Sequence, residues 1–246
     1  MKYSLELLIN QIKQSEGLFA TKYIYRHLAV LLSYLFANFG IHPNLITLLS
    51  FSLNILACLF LLSTDQFNPI IALNSFLLLA FAYVLDCCDG QVARATHQSS
   101  KLGVWLDHTF DCAKTILINF VFGWILIRNF AGSDSELILS YFACFINLFG
   151  QLTYFFGWNY KVLLFEDRLV DKTLSSRKIS FLLRLPFNIV DYGVFILLTF
   201  LLVSIQDFMW VYLTYGIVCF LVYLAYLVLS AFSMNSRLSG DIENNA

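Results

Sequence analysis

Between Leu45 and Phe232 the chain carries six apolar runs, each near the roughly 20 residues a helix needs to cross the hydrocarbon of a bilayer. That length constrains the fold more than any other feature, because a backbone surrounded by lipid must make its hydrogen bonds within itself. The runs cover residues 45–63, 66–85, 103–127, 136–157, 187–204 and 208–232. With 59% hydrophobic and only 13% charged residues, no soluble domain of this size is expected. The reading is an all-α integral membrane protein with six transmembrane helices.

The flanking segments complete the layout. MKYSLELLINQIKQSEG interleaves Lys2, Glu6, Lys13 and Glu16 with leucines and isoleucines and lacks a continuous apolar core with a cleavage site, so it reads as an amphipathic helix rather than a signal peptide. A second run, LAVLLSYLFANFG, is too short to span and is expected at the interface, before Pro43 stops it. The expected organisation is thus an amphipathic interfacial segment (1–42), a six-helix domain (43–232) and a polar tail (233–246). Thirteen of the fifteen Lys and Arg fall on one side, and the positive-inside rule makes that side cytoplasmic. Both termini and the aspartate-rich turn between the second and third spans then face the cytoplasm, as expected in a bacterial inner membrane. A net charge of −1 argues against a nucleic-acid partner. The six cysteines show no CxxC spacing and read as small buried side chains.

Acids inside such a frame are costly unless paired, and the junction of the second and third spans holds four: DCCDGQVARATHQSSKLGVWLDHTFD, residues 86–111. Asp86, Asp89, Gly90 and Ala93 lie at helical offsets 0, 3, 4 and 7, with Arg94 at the edge of the stripe; Gly103, Asp107 and Asp111 lie at 0, 4 and 8. Facing stripes would gather up to four carboxylates, which repel one another unless protons or cations intervene. Oxygen-only ligands suit a hard cation such as Mg²⁺, Mn²⁺ or Ca²⁺, and four carboxylates suffice for a pair of metals about 4 Å apart, as used in phosphoryl displacement. Gly90 would let a phosphate approach the backbone, and Arg94 offers a planar fork for its oxygens.

The pattern DxxDGxxARx8GxxxDxxxD, met at every defined position by Asp86, Asp89, Gly90, Ala93, Arg94, Gly103, Asp107 and Asp111, resembles the signature of the CDP-alcohol phosphotransferase (CDP-alcohol phosphatidyltransferase) family. The six-span layout, the amphipathic N-terminal segment and the Pro43-Asn44-x-x-Thr47 opening of the first span are also similar. The resemblance implies a dimetal site, with Mg²⁺ or Mn²⁺, in a six-helix membrane enzyme, usually a homodimer. Such an enzyme cleaves a CDP-linked donor, transfers a substituted phosphate to an alcohol acceptor and releases CMP in phospholipid synthesis. It further implies that Asp86, Asp89 and Asp107 hold metal, that Asp111 is both ligand and general base, that Arg94 contacts the donor phosphates, and that Gly90 and Ala93 border the nucleotide.

Other polar residues are open to more than one reading. Lys114 shares the face of Asp107 and Asp111 and would neutralise an acid in the metal-free state, contact an anionic acceptor, or pair structurally. Asn147, Gln151 and Asp191 are candidates for the acceptor pocket, with interhelical hydrogen bonding the alternative. Thr47 is a candidate for the nucleotide pocket, Asn44 is read as the cap of the first span, and His108 is expected to point away from the aspartates. The basic 158–186 loop reads as the positive-inside signal with lipid contact, or as a pocket for a phosphorylated acceptor. Compact size favours CDP-diacylglycerol as donor and a small polar alcohol as acceptor; the alternative is a CDP-aminoalcohol donor with diacylglycerol as acceptor, as in choline and ethanolamine phosphotransferases. A cation-coupled transporter would need acids near the midplane and broken helices in matching halves, and the chain has neither.

Overall fold

A computed structural model describes residues 3–14, 18–63, 68–130, 132–165, 191–199 and 208–244. Every regular element among them is helical: α1 (Leu5–Gln14), α2 (Arg26–Phe39, entered through a π-helical turn Thr21–Tyr25), α3 (Pro43–Leu62), α4 (Pro69–Ala95), α5 (Lys101–Phe130), α6 (Asp134–Phe165), α7 (Tyr192–Thr199) and α8 (Phe208–Asn244). Five of these, α3, α4, α5, α6 and α8, contain stretches long and apolar enough to cross a membrane. Half of the expected fifth span, 187–204, lies outside the described residues; in the other half Tyr192–Thr199 is helix.

Local chemistry sets the helix ends. Gly40 takes a left-handed conformation (φ 72°) at the end of α2, and the Ile41 N–H reaches back to the Phe36 carbonyl, so the chain reverses directly into α3. The cap of α3 is His42, whose Nδ1 accepts from the Asn44 N–H at 3.2 Å, with Pro43 in the first turn where its missing N–H costs nothing. This corrects the expectation for Asn44: a proline at the first helical position moves the cap one residue earlier. At α4 the Asn68 side chain accepts from Ile70 and Ile71, again ahead of a proline. The α4–α5 turn is closed by His97 at φ 56° and a bond from Gln98 N–H to the Ala93 carbonyl.

Two boundaries differ from the sequence reading. α6 continues through Trp158 to Phe165, because WNYKVLLF holds no breaker, so the expected 158–186 loop loses its first turns. α8 runs on to Asn244, past the end of the expected span at 232. Of the loop's basic residues, Lys161 lies on α6; Arg168, Lys172, Arg177, Lys178 and Arg184 lie outside the described residues.

Packing centres on α4, which contacts α2, α3 and α7, while α5 lies against α3 and α6, and α6 against α8. Ala57, Ala82, Cys88, Val92, Val121 and Leu126 are fully buried, whereas Leu45, Leu59, Ile70, Phe120, Phe145 and Leu221 are exposed on the outer faces. A water-exposed surface of that kind would be unstable; facing lipid it is the expected exterior. A polar face of α3 is turned inward, with Thr47, Ser50 and Asn54 buried and the Ser50 hydroxyl bonded to the Ala82 carbonyl at 2.9 Å. Small residues permit close helix approaches: a Cβ at Gly216 would come within 2.7 Å of Asn147 Cγ, and one at Gly103 within 3.1 Å of Asn44 Oδ1. Residues 5–14 form a helix whose Leu8 and Ile12 are buried with Val30 and Ala95, tying it to α2 and α4. All six cysteines are free.

Candidate active site

Asp86 and Asp89 stand in the C-terminal half of α4, and Asp107 and Asp111 in the N-terminal half of α5. The tight turn between the helices sets the stripes side by side. One carboxylate oxygen from each of Asp86, Asp89 and Asp107 lies within 4.8 Å of the others, close enough to share one cation. A second group with the same spacing comprises Asp107, His108 and Asp111, so Asp107 belongs to both. His108 was expected to face away, but 108 and 111 lie three residues and so nearly one helical turn apart, and its ring comes within 4.8 Å of an Asp111 oxygen. An imidazole is not a preferred ligand for a hard cation, and the Asp86, Asp89 and Asp107 set is purely oxygen.

Two partners support the acids. Thr47 of α3 donates its hydroxyl to Asp89 Oδ2 at 2.5 Å and lies 3.2 Å from the Pro43 carbonyl, fixing the most buried carboxylate of the group. Thr47 is thus a partner of an acid before it is any contact of a nucleotide. Lys114, three residues past Asp111, places Nζ 2.5 Å from Asp86 Oδ1 and 2.7 Å from Asp111 Oδ1. Only 2% of its side chain is exposed, whereas Asp111 is 42% exposed and marks the open side of the site. Of the readings left open for Lys114, neutralisation of acids is the one this geometry carries. A buried ammonium between two carboxylates also shows that the cluster demands positive charge and accepts it, so the donor set fits divalent cations.

Arg94 extends from the end of α4 back over Gly90: a Cβ at 90 would meet its Nη1 at 3.2 Å. Arg94 is exposed and Ala93 partly so, which leaves the Gly90–Ala93–Arg94 edge open beside the acids.

The three acceptor-pocket candidates separate. Asp191 is buried and caps α7: it accepts from Gly193 N–H at 3.0 Å, from Thr21 N–H at 2.8 Å and from the Thr21 hydroxyl, which also contacts the Tyr83 hydroxyl at 2.6 Å. Asp191 thereby ties the N-terminal segment to α7 near the aspartates. Asn147 and Gln151 lie elsewhere, in a network joining α5, α6 and α8. Asn147 Nδ2 donates to the Tyr212 carbonyl at 3.0 Å, Gln151 Oε1 accepts from Asn119 at 3.1 Å, and the Tyr212 hydroxyl donates to Asn119 Oδ1 at 2.6 Å. Sequence reasoning missed Asn119 and also Gln91, which is fully buried, accepts from the Ser33 hydroxyl at 2.9 Å and donates to the Arg26 carbonyl at 2.9 Å. Gln91 sits inside the DGQVAR run, and a polar residue on the far face of that stripe was the available signal.

With the helices and acids in place, the family follows: residues 40–163 match the family model described as CDP-alcohol phosphatidyltransferase, and the chain belongs to that family. A curated relative, an archaetidylinositol phosphate synthase from Pyrococcus horikoshii, is 32% identical over 126 residues, covering 49% of this chain and 63% of the relative. The family match includes the whole aspartate stretch, and the chain spans less than two thirds of that relative's length.

Proposed function

We propose that this protein is a six-span membrane transferase that moves a phosphatidyl group from CDP-diacylglycerol, or a lipid like it, to a small polar alcohol and releases CMP. The observation that carries the proposal is the convergence of Asp86, Asp89 and Asp107 within 4.8 Å at the junction of two membrane helices. The relative's name, that of a synthase making a lipid-linked inositol phosphate, favours the polarity in which lipid travels on the donor. Asp86, Asp89, Asp107 and Asp111 would hold two divalent cations, Mg²⁺ or Mn²⁺. When bound, these would supply positive charge for the leaving phosphate and the oxygens of the transferred group.

The chain's own groups divide the remaining work. Thr47 orients Asp89 through its hydroxyl. Arg94 grips donor phosphate oxygens, and Gly90 and Ala93 keep the helix edge low enough for the nucleotide to approach. Asp111, on the exposed side, takes the proton of the attacking hydroxyl on a carboxylate oxygen. Asp191 borders the acceptor, whereas Asn147 and Gln151 serve the packing of α6 against α5 and α8. The site faces the cytoplasm at the inner-membrane surface, where a water-soluble CDP head can enter while acyl chains stay in the bilayer. Residues 1–42 lie along that interface, 233–246 form the tail, and the enzyme works as a homodimer.

The test is to incubate purified protein with radiolabelled CDP-diacylglycerol or, separately, CDP-choline, with Mg²⁺ or Mn²⁺ and a panel of alcohols that includes an inositol phosphate. CMP release from CDP-diacylglycerol alone is expected, and its loss on chelation. Release from CDP-choline with diacylglycerol would reverse the polarity; turnover surviving full metal removal would overturn the metal reading.

A further inference from the structure

Lys114 is the largest fully buried side chain in the described structure, and a lone buried ammonium is expensive. It is held by two carboxylates from different helices, Asp86 of α4 and Asp111 of α5, at 2.5 and 2.7 Å. Asp89 and Asp107 are not part of that arrangement; they form the oxygen group with Asp86. The four acids are therefore already divided, with three gathered for one cation and the Asp86–Asp111 gap filled by a cation of the protein's own.

A second observation lies beside it. Tyr192, at the start of α7, has a buried hydroxyl with no hydrogen-bond partner among the described residues, and it lies within electrostatic reach of Lys114, Asp111 and Asp86. A buried hydroxyl left unpaired costs about 1–3 kcal/mol, so a group that pairs with it in another state of the site would recover that cost. Its ring is held by packing against Tyr83 (5.1 Å) and Phe195 (6.0 Å), and Asp191 anchors the first turn of α7. The hydroxyl is therefore presented by a fixed scaffold.

We propose that Lys114 is a resident cation that competes with the second divalent metal: it holds Asp86 and Asp111 together in the metal-free enzyme and swings to the Tyr192 hydroxyl when that metal binds. The inference rests on the metal reading above. Its consequence is ordered loading. The first cation enters among Asp86, Asp89 and Asp107 without displacing Lys114, and the second binds more weakly because it must break both charge pairs of the buried Lys114. Lys114 and Tyr192 act as positioning residues in this scheme, since they govern when Asp86 and Asp111 are free.

Mn²⁺ titration of the full-length protein in nanodiscs, read by the electron paramagnetic resonance of free Mn²⁺, tests this without turnover. Wild type should bind one Mn²⁺ tightly and a second at least about tenfold more weakly, as expected when close charge pairs must be broken. Lys114→Met should tighten the second site to near the first, Lys114→Arg should restore the gap, and Tyr192→Phe should weaken the second site further. Two equal sites in wild type, or a second site unmoved in Lys114→Met, would overturn the competition; a second site unmoved in Tyr192→Phe would remove the tyrosine from it. If Lys114→Met does not fold, the wild-type titration still decides. Absence of any Mn²⁺ binding by wild type would instead sink the metal reading itself.

Discussion

At the scale of single residues, the acids of this site differ in what holds them. Asp89 is 6% exposed and takes its hydrogen bond from Thr47, whereas Asp111 is far more open and shares one oxygen with Lys114. Those surroundings lead to different mutational outcomes. Asp111→Asn keeps the shape but removes the proton acceptor, so CMP release should fall at least about a hundredfold while CDP-donor binding, followed by calorimetry, is partly retained. Thr47→Val removes the donor to Asp89 without changing volume. It should weaken first-site Mn²⁺ binding by about tenfold, the lower end of what outer-shell partners contribute, as measured by titration; unchanged affinity would show that Asp89 needs no orientation. The aspartates, Gly90 and Arg94 were legible as a spaced motif, and Lys114 was legible as a residue on the right face. Its engagement with both helices was not, because a side chain of that length reaches several partners and only the α4–α5 distance selects among them.

At the scale of elements, α4 and α5 carry the acids, but the N-terminal segment and α7 fix the ground beside them. Asp191 does this with three bonds, to Gly193 N–H and to the Thr21 N–H and hydroxyl. Asp191→Ala would take the partner from the buried Gly193 N–H and the half-buried Thr21 N–H and should lower stability by about 2 kcal/mol, seen as a reduced melting temperature in detergent. If Asp191 also borders the acceptor, KM for the alcohol will rise in the milder Asp191→Asn. Helix existence was readable from apolar length, and the inward polar face of α3 from the spacing of Thr47, Ser50 and Asn54. The boundaries were less so. Apolar length marks a span and not where its helix stops: α6 runs on to Phe165 and α8 to Asn244, and the cap of α3 falls to the His42 side chain.

For the whole molecule, the exposed leucines and phenylalanines form an outer surface suited to lipid. α5, at 30 residues, is about 45 Å long and can carry the chain from one face to the other. Cysteines introduced singly at Gln98 and Gly132 in a cysteine-free background should therefore label from opposite sides with a membrane-impermeant thiol reagent, Gln98→Cys from the cytoplasmic side. Labelling of both from one side would overturn the topology.

The sequence by itself determined that this chain lives in a membrane as helices, and that two of them carry acids on single stripes able to face one another. Both follow from one-dimensional periodicity, since apolar length and i, i+4 offsets survive in any packing. Only the tertiary structure decided how the charge of that cluster is balanced and which polar residues belong beside it. Those outcomes depend on distances between helices: Lys114 spans the gap from α5 to α4, Asp191 reaches Thr21, and Asn147 with Gln151 joins a network away from the acids.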